Sequence, residues 1–197
     1  VLSPGSGEAS ELKTISAEIV VNCAGLWGHH VGKMAGVNVP LHAAEHFYIV
    51  TENIGLPSTL PVLRDPSSWI YAKEDAGKML VGCFEPKSKP RPLNTIPEDF
   101  SFGQFEEDWE HFEPAMLNAM HRIPKLEDAG IHTFFNGPES FTPDDRYILG
   151  EAPELKNFYV AAGLNSIGIQ SAGGAGKVLS EWIVNRYPPI DLWDVDI

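Results

Sequence analysis

The stretch Phe158-Tyr-Val-Ala-Ala-Gly-Leu-Asn-Ser-Ile-Gly-Ile-Gln-Ser-Ala-Gly-Gly-Ala-Gly-Lys177 holds the residues best suited to grip a ligand. The apolar run Phe158 to Ala162 predicts a buried strand. It stops at Gly163, and a small-residue loop leads into an amphipathic helix. Free N–H groups and the positive end of a helix dipole converge at such a junction, so it forms a cradle for a negative group. Gly173, Gly174 and Gly176 leave room for a flat ligand or another backbone to approach. The pattern is not a P-loop, because Ser171 stands where that motif needs its first glycine before Gly176-Lys177, and it is not G-x-G-x-x-G. Small residues opening a helix also serve tight packing, and glycine spacing alone does not separate the two uses.

Other side chains carry weaker signals. Arg64, in Pro-Val-Leu-Arg-Asp, can pair with a substrate carboxylate; it can equally be a solvated arginine. His46 on an aromatic strand, Tyr71 in a hairpin and Trp27 after a glycine read, each alone, as packing residues. His29-His30 has no third ligand at metal spacing and reads as helix surface, so no metal site is predicted. Cys23 and Cys83 sit inside apolar strand-like runs without a C-x-x-C partner, which predicts buried, reduced thiols.

The elements that must position these residues follow from periodicity. Ala17 to Ala24 is a near-continuous apolar run, suited to a sheet buried on both faces. Gly25 ends it, and Leu26 to Ala35 reads as a short helix stopped near Gly36. This repeats the strand–glycine–helix layout of the later cradle. Between the two units, Glu45 to Thr51 predicts a strand and Leu60 to Arg64 a short one. Ser68 to Lys73 and Lys78 to Phe84 predict a hairpin across Glu74-Asp-Ala-Gly77. Pro86 to Pro97, with four prolines, is a surface loop. Gln104 to Arg122 has helical spacing, with Pro114 as a kink or a second start. Ile131 to Phe135 is a strand, and Ser140 to Asp144 a loop leading to Tyr147-Ile-Leu-Gly150. The order implies an α/β plus α+β fold. Both chain ends build one buried α/β layer, and an antiparallel sheet with a covering helix is inserted between them. The expected divisions are 1–36, 37–144 and 145–197.

With 197 residues, 43% hydrophobic, the chain can bury a real core. A net charge of −13, from 27 acidic and 14 basic residues, argues against nucleic acid and anionic membrane as partners. No stretch is long and apolar enough to predict a membrane span. The opening Val1-Leu-Ser-Pro-Gly-Ser-Gly7 and the ending Leu192-Trp-Asp-Val-Asp-Ile197 read as cut ends of a longer protein.

Several segments, in order, resemble one family. Val20-Val-Asn-Cys-Ala-Gly-Leu-Trp-Gly28 is similar to a strand of the FAD-dependent, D-amino-acid-oxidase-like amine oxidoreductases. Pro40-Leu-His-Ala-Ala-Glu-His-Phe-Tyr48, Glu107-Asp-Trp-Glu-His-Phe-Glu-Pro114 and Pro138-Glu-Ser-Phe-Thr-Pro-Asp144 resemble its sarcosine and dimethylglycine dehydrogenase branch, as does Gly163-Leu-Asn-Ser-Ile-Gly168. The resemblance implies the later part of a flavin module, in which the layer built by both ends is an incomplete Rossmann-like FAD-binding layer. The N-terminal pyrophosphate fingerprint and the later folate-binding domains are not in this stretch, so it is expected to hold FAD weakly or not at all by itself.

The resemblance also implies roles. Gly25 and Trp27 match a flavin-contacting turn. Gly163, Leu164, Asn165, Ser166, Ile167 and Gly168 match the loop along the flavin's pyrimidine edge, where a helix N-terminus would stabilise the charge of the reduced ring. His46 and Tyr71 match a substrate-side pair, suited to holding an amine unprotonated. Gln170 stands where the small sarcosine oxidases carry a carboxylate-binding lysine, so Gln170 and Arg64 become the substrate-binding candidates. The implied reaction is hydride transfer from the N-methyl group of a small N-methyl amine to FAD. The electrons pass on to a partner flavoprotein or oxygen, in the cytoplasm of a bacterium or the mitochondrial matrix of a eukaryote. A second branch remains open: the non-catalytic regulatory subunit of pyruvate dehydrogenase phosphatase resembles Glu107 to Pro114 and Pro138 to Gly150 about as closely.

Overall fold

A computed structural model describes residues 14–97 and 99–197. Residues 1–13, the start of the first expected division, lie outside the described residues. Two sheets carry the fold. The smaller has the order β1-β8-β7, with β1 Val20–Asn22, β7 Ile148–Glu151 and β8 Phe158–Ala162. β1 pairs parallel with β8, Val20 opposite Phe158 and Asn22 opposite Val160. The two ends of the chain therefore do build one layer, as the sequence order implies.

Each end continues from strand through glycine to helix. After β1 the chain turns at Gly25, in a left-handed conformation with φ 55°, through a 3₁₀ turn at Gly25–Trp27 into α1, Gly28–Met34. The buried Asn22 side chain closes this turn, donating to the Gly28 carbonyl at 2.8 Å and accepting from Ala24 N–H at 3.2 Å. After β8 the chain turns at Gly163, φ 60°, and enters α3, Gly168–Asn185. A Cβ at Gly163 would collide with Thr142 and Leu41, so only glycine fits this corner.

The larger sheet is antiparallel, order β3-β4-β5-β2-β6. Its strands are β2 His42–Thr51, β3 Leu63–Asp65, β4 Ile70–Asp75, β5 Lys78–Cys83 and β6 Ile131–Phe141. β4 and β5 form the expected hairpin, with Ala76 and Gly77 both at positive φ, as a tight two-residue turn requires. One face packs on α2, Trp109–Arg122. Phe47, Ile49, Ile70, Val81 and Phe134 meet Phe112, Ala115 and Ala119 there.

Several expectations need correction. The strand predicted over Ala17 to Ala24 shortens to three residues; among the described residues β1 pairs with β8 alone, and Val20 and Val21 are exposed. Cys23, just past its end, is exposed too, whereas Cys83 is buried as expected. α2 starts at Trp109, five residues later than predicted. Asp108 caps it by accepting from His111 N–H at 3.0 Å, a stronger signal than the aromatic spacing that begins at Phe105. The helix runs on through Pro114. The hairpin's first strand begins at Ile70, because Pro66–Ser68 forms a turn capped by Asp65. β6 continues to Phe141, through Pro138, where a loop was expected from Ser140. Pro138 is tolerated because β6 is an edge strand. His29 and His30 are half-buried, and His29 Nδ1 lies 3.0 Å from the Val39 carbonyl.

Candidate active site

The face of the larger sheet away from α2 is built by alternation along β2. Phe47 and Ile49 point into the core; His46 and Tyr48 point the other way. Register extends this face across all five strands. Arg64 lies opposite Tyr71, Tyr71 opposite Gly82, Gly82 opposite Tyr48, and Tyr48 opposite Phe135. Tyr48 and Phe135 stack with ring centres 4.7 Å apart. The Tyr71 ring lies over Gly82, where a Cβ would fall within the tyrosine's own atoms. Phe84 closes one side, 5.6 Å from the Tyr71 ring and 5.3 Å from the His46 ring.

These side chains line a cavity of about 580 Å³ together with Arg64, Glu139, Ser166, Ile169 and Gln170. Four of the residues expected at a substrate site, His46, Tyr71, Arg64 and Gln170, thus share one space. Burial pushes the Tyr71 phenol well above its ordinary range, with the nearby Cys83 and the Glu139 carboxylate adding to the rise. Tyr71 therefore stays neutral at physiological pH and can donate a hydrogen bond. Arg64 is not simply solvated: its guanidinium carbon lies 4.8 Å from the centre of the Phe84 ring.

A second, mostly apolar cleft of about 490 Å³ lies beside the smaller sheet. Val21, Cys23 and Gly25 form one wall; Gly163, Leu164, Asn165, Ser166 and Gly168 form another; the small residues Ala172, Ala175 and Gly176 of α3 complete it. The Gly25 and Gly163 turns thus face a common space. Trp27 does not line the cleft and is 38% exposed. Ile167 lines the sheet-side cavity instead. Lys177 lines neither cavity and pairs on the surface with Glu181 at 3.8 Å.

The loop between β8 and α3 is held in an unusual shape. Asn165 and Ser166 are both left-handed, with φ 46° and 64°. Asn165 fixes it, accepting from Thr142 N–H at 3.0 Å and donating to Thr142 Oγ1 at 3.0 Å. Ser166 Oγ donates to Glu139 Oε2. Among the described residues no side chain caps α3, so its first-turn N–H groups, which have no acceptor within the helix, have no capping side chain either.

Glu139 and Ser166 line both cavities. The cradle and the aromatic cavity are therefore neighbours separated by one hydrogen-bonded pair. Residue-by-residue reading missed Glu139, because the predicted strand stopped at Phe135 whereas β6 runs on to Phe141. It missed Tyr48, although alternation from His46 points to it, and Gly82, whose role depends on register.

Residues 3–182 match the family described as DAO, FAD dependent oxidoreductase. The chain belongs to this family. It is 42% identical over 192 residues to 4-methylaminobutanoate oxidase (formaldehyde-forming) of Paenarthrobacter nicotinovorans, covering 97% of this chain and 23% of that protein. It is 41% identical to mitochondrial sarcosine dehydrogenase of Mus musculus, covering 95% and 20%. It is 38% identical to the mitochondrial pyruvate dehydrogenase phosphatase regulatory subunit of the same organism, covering 98% and 22%. The chain thus spans less than a quarter of the length of these relatives. Its fold is that of glycine oxidase from Geobacillus kaustophilus, with TM-score 0.70 and 21% identity over 90% of this chain and 44% of that one.

Family membership brings FAD as the cofactor, and the cleft suits it. An uncapped helix start faces a flat, apolar space. Of the glycines that line it, Gly25 and Gly176 would place a Cβ in open space, whereas Gly173 and Gly174 line neither cavity. Among the described residues no group of His, Cys, Asp and Glu side chains could hold a metal ion, and no helix is long and apolar enough to cross a membrane.

Proposed function

We propose that the chain is part of an FAD-dependent enzyme that oxidises small N-methyl amino acids such as sarcosine, dimethylglycine or 4-methylaminobutanoate. The observation that carries this reading is the shared wall of Glu139 and Ser166 between the cradle and the aromatic cavity. A substrate in one cavity would lie directly against a ring in the other. Segments 1–36 and 145–197 serve the cofactor in this reading, and 37–144 the substrate.

Backbone N–H groups of Gly163 to Gly168 would hold the pyrimidine edge of the ring, and the Gly25–Trp27 turn its opposite side. FAD supplies the hydride acceptor. His46 and Tyr71 orient the amine; Arg64 and Gln170 receive the carboxylate. The aromatic walls exclude water from the carbon that loses hydride. In the substrate, the N-methyl C–H bond breaks with its electron pair, the nitrogen lone pair forms the C=N bond, and an iminium results. Water then releases formaldehyde, unless a folate takes the one-carbon unit. A folate-binding portion outside these residues and an electron-accepting flavoprotein belong to the same reading. It also places the protein in the mitochondrial matrix of a eukaryote or the cytoplasm of a bacterium. The shared segments with sarcosine and dimethylglycine dehydrogenases support it.

A non-catalytic regulatory role is the second reading. It is favoured by Gln170, which brings no charge to the carboxylate side, and by the regulatory-subunit similarity. Anaerobic mixing of the flavin-loaded, full-length protein with each N-methyl amino acid separates the two. Bleaching of the visible flavin band supports the enzyme, and a spectrum indifferent to every amine supports the regulatory role.

A further inference from the structure

Glu139 is the one acidic side chain that lines either cavity among the described residues. It sits on β6 opposite Ala44, and its carboxylate is 29% exposed. Both protein groups that address it meet the same oxygen: Ser166 Oγ donates to Oε2, and His46 Nε2 stands 3.7 Å from Oε2. Among the described residues no protein group hydrogen-bonds Oε1. One carboxylate oxygen is thus engaged by protein groups, while the other carries no protein hydrogen bond at the boundary of the two cavities.

An amino acid with a basic nitrogen enters water-filled space as an ammonium. The aromatic rings around this cavity, Tyr48, Tyr71, Phe84 and Phe135, attract a cation only through their faces. A carboxylate held in a partly dry pocket attracts it far more strongly. We propose that Glu139 is the ammonium anchor of this site, selecting cationic amines over neutral molecules of the same shape. It thereby holds the substrate nitrogen at the wall shared with the cofactor cleft. This rests on the reading of the aromatic cavity as a substrate site. For a secondary or tertiary amine the N–H proton must leave before the nitrogen lone pair can push out hydride. The carboxylate that binds the ammonium is placed to accept that proton, and His46 Nε2 stands 3.7 Å from its other oxygen.

A pair of ligands that differ only in charge tests the idea. A trimethylammonio acid carries a permanent cation and has no lone pair, so it binds without being oxidised. Replacing its nitrogen by carbon gives an isostere with the same carboxylate and a neutral head group. Binding of each to the flavin-loaded, full-length protein is read from the perturbed flavin spectrum, independent of turnover. The wild type is expected to prefer the cation about ten-fold or more, the size of one charge contact in a partly wet pocket. E139Q is expected to bring the two affinities within about three-fold, whereas E139D keeps most of the preference. Equal binding by the wild type overturns the proposal, and so does an undiminished preference in E139Q. Should E139Q fail to load flavin, the wild-type comparison and E139D still decide, since loss of all preference in the charge-retaining variant also contradicts an anchoring carboxylate. Wild-type bleaching by N-methyl amino acids with no cation preference would sink this inference alone. Absence of bleaching would sink the underlying functional reading.

Discussion

Gly82→Ala is the perturbation that most directly asks whether the sheet positions Tyr71. Gly82 lies between Tyr71 on β4 and Tyr48 on β2 in the cross-strand row. A Cβ there would fall within the Tyr71 Cζ and Oη atoms and stand 2.6 Å from Cε1. The ring is the free end of its side chain, so it yields before the backbone does. Overpacking of this kind costs about 1–3 kcal/mol. For a chain of this size that lowers the melting temperature by about 2–4 °C per kcal/mol. The ring must swing away from the cavity, and a misplacement of about 1 Å can cost on the order of 100-fold in rate. The assay is kcat/KM for an N-methyl amino acid with the flavin-loaded protein, alongside thermal unfolding. Because the effect passes through one phenol, adding Gly82→Ala to Tyr71→Phe should cost little further activity. A Gly82→Ala protein that loses stability but keeps full kcat/KM would refute the placement of Tyr71 in the chemistry.

Three further outcomes follow from the same geometry. Asn165→Ala removes both ties to Thr142 from a left-handed position; the loop should loosen by about 1–2 kcal/mol, and FAD should dissociate faster. Asn165→Gly, which relieves the backbone but not the lost bonds, should recover only part of this. The Tyr71 phenol is raised in the folded protein, so its contribution to stability is fully present below the ordinary phenol value of about 10. That contribution is lost as pH rises above this value, because the unfolded chain ionises first; denaturant unfolding should show a shallower alkaline decline in Tyr71→Phe than in wild type. Arg91→Ala leaves Glu45, 1% exposed, without its contact at 2.6 Å and dependent on Asn136 and Lys89. Unfolding free energy should fall by roughly 1–3 kcal/mol, with no change in ligand preference if Arg91 serves the fold alone.

Local pattern carried much of this structure. The glycine after each end strand marks where the chain must turn left-handed, and the apolar run of Phe158 to Ala162 is buried as its composition requires. The parallel pairing of β1 with β8 follows from two similar strand–glycine–helix units at the ends. What stayed hidden depends on partners far away in sequence. The predicted strand stops at Phe135, yet an edge position lets β6 run on through Pro138 and delivers Glu139 to the site. The Asp108 cap overrides the helical spacing of Phe105, whose ring instead lies 4.4 Å from the Arg91 guanidinium carbon. His46 and Tyr71 were legible as a pair only through the family resemblance. Register then places them in one cavity, with Gly82 making the room that Tyr71 needs.

The central claim is that substrate nitrogen and cofactor ring meet across the Glu139–Ser166 wall. A crystal structure of the flavin-loaded, full-length protein with the trimethylammonio acid bound tests it most directly. The ring is expected between the Gly25 turn and the Gly163–Gly168 loop, and the ligand nitrogen beside Glu139 in the cavity of His46 and Tyr71. A ring seated away from that loop, or a ligand nitrogen outside that cavity, would contradict it.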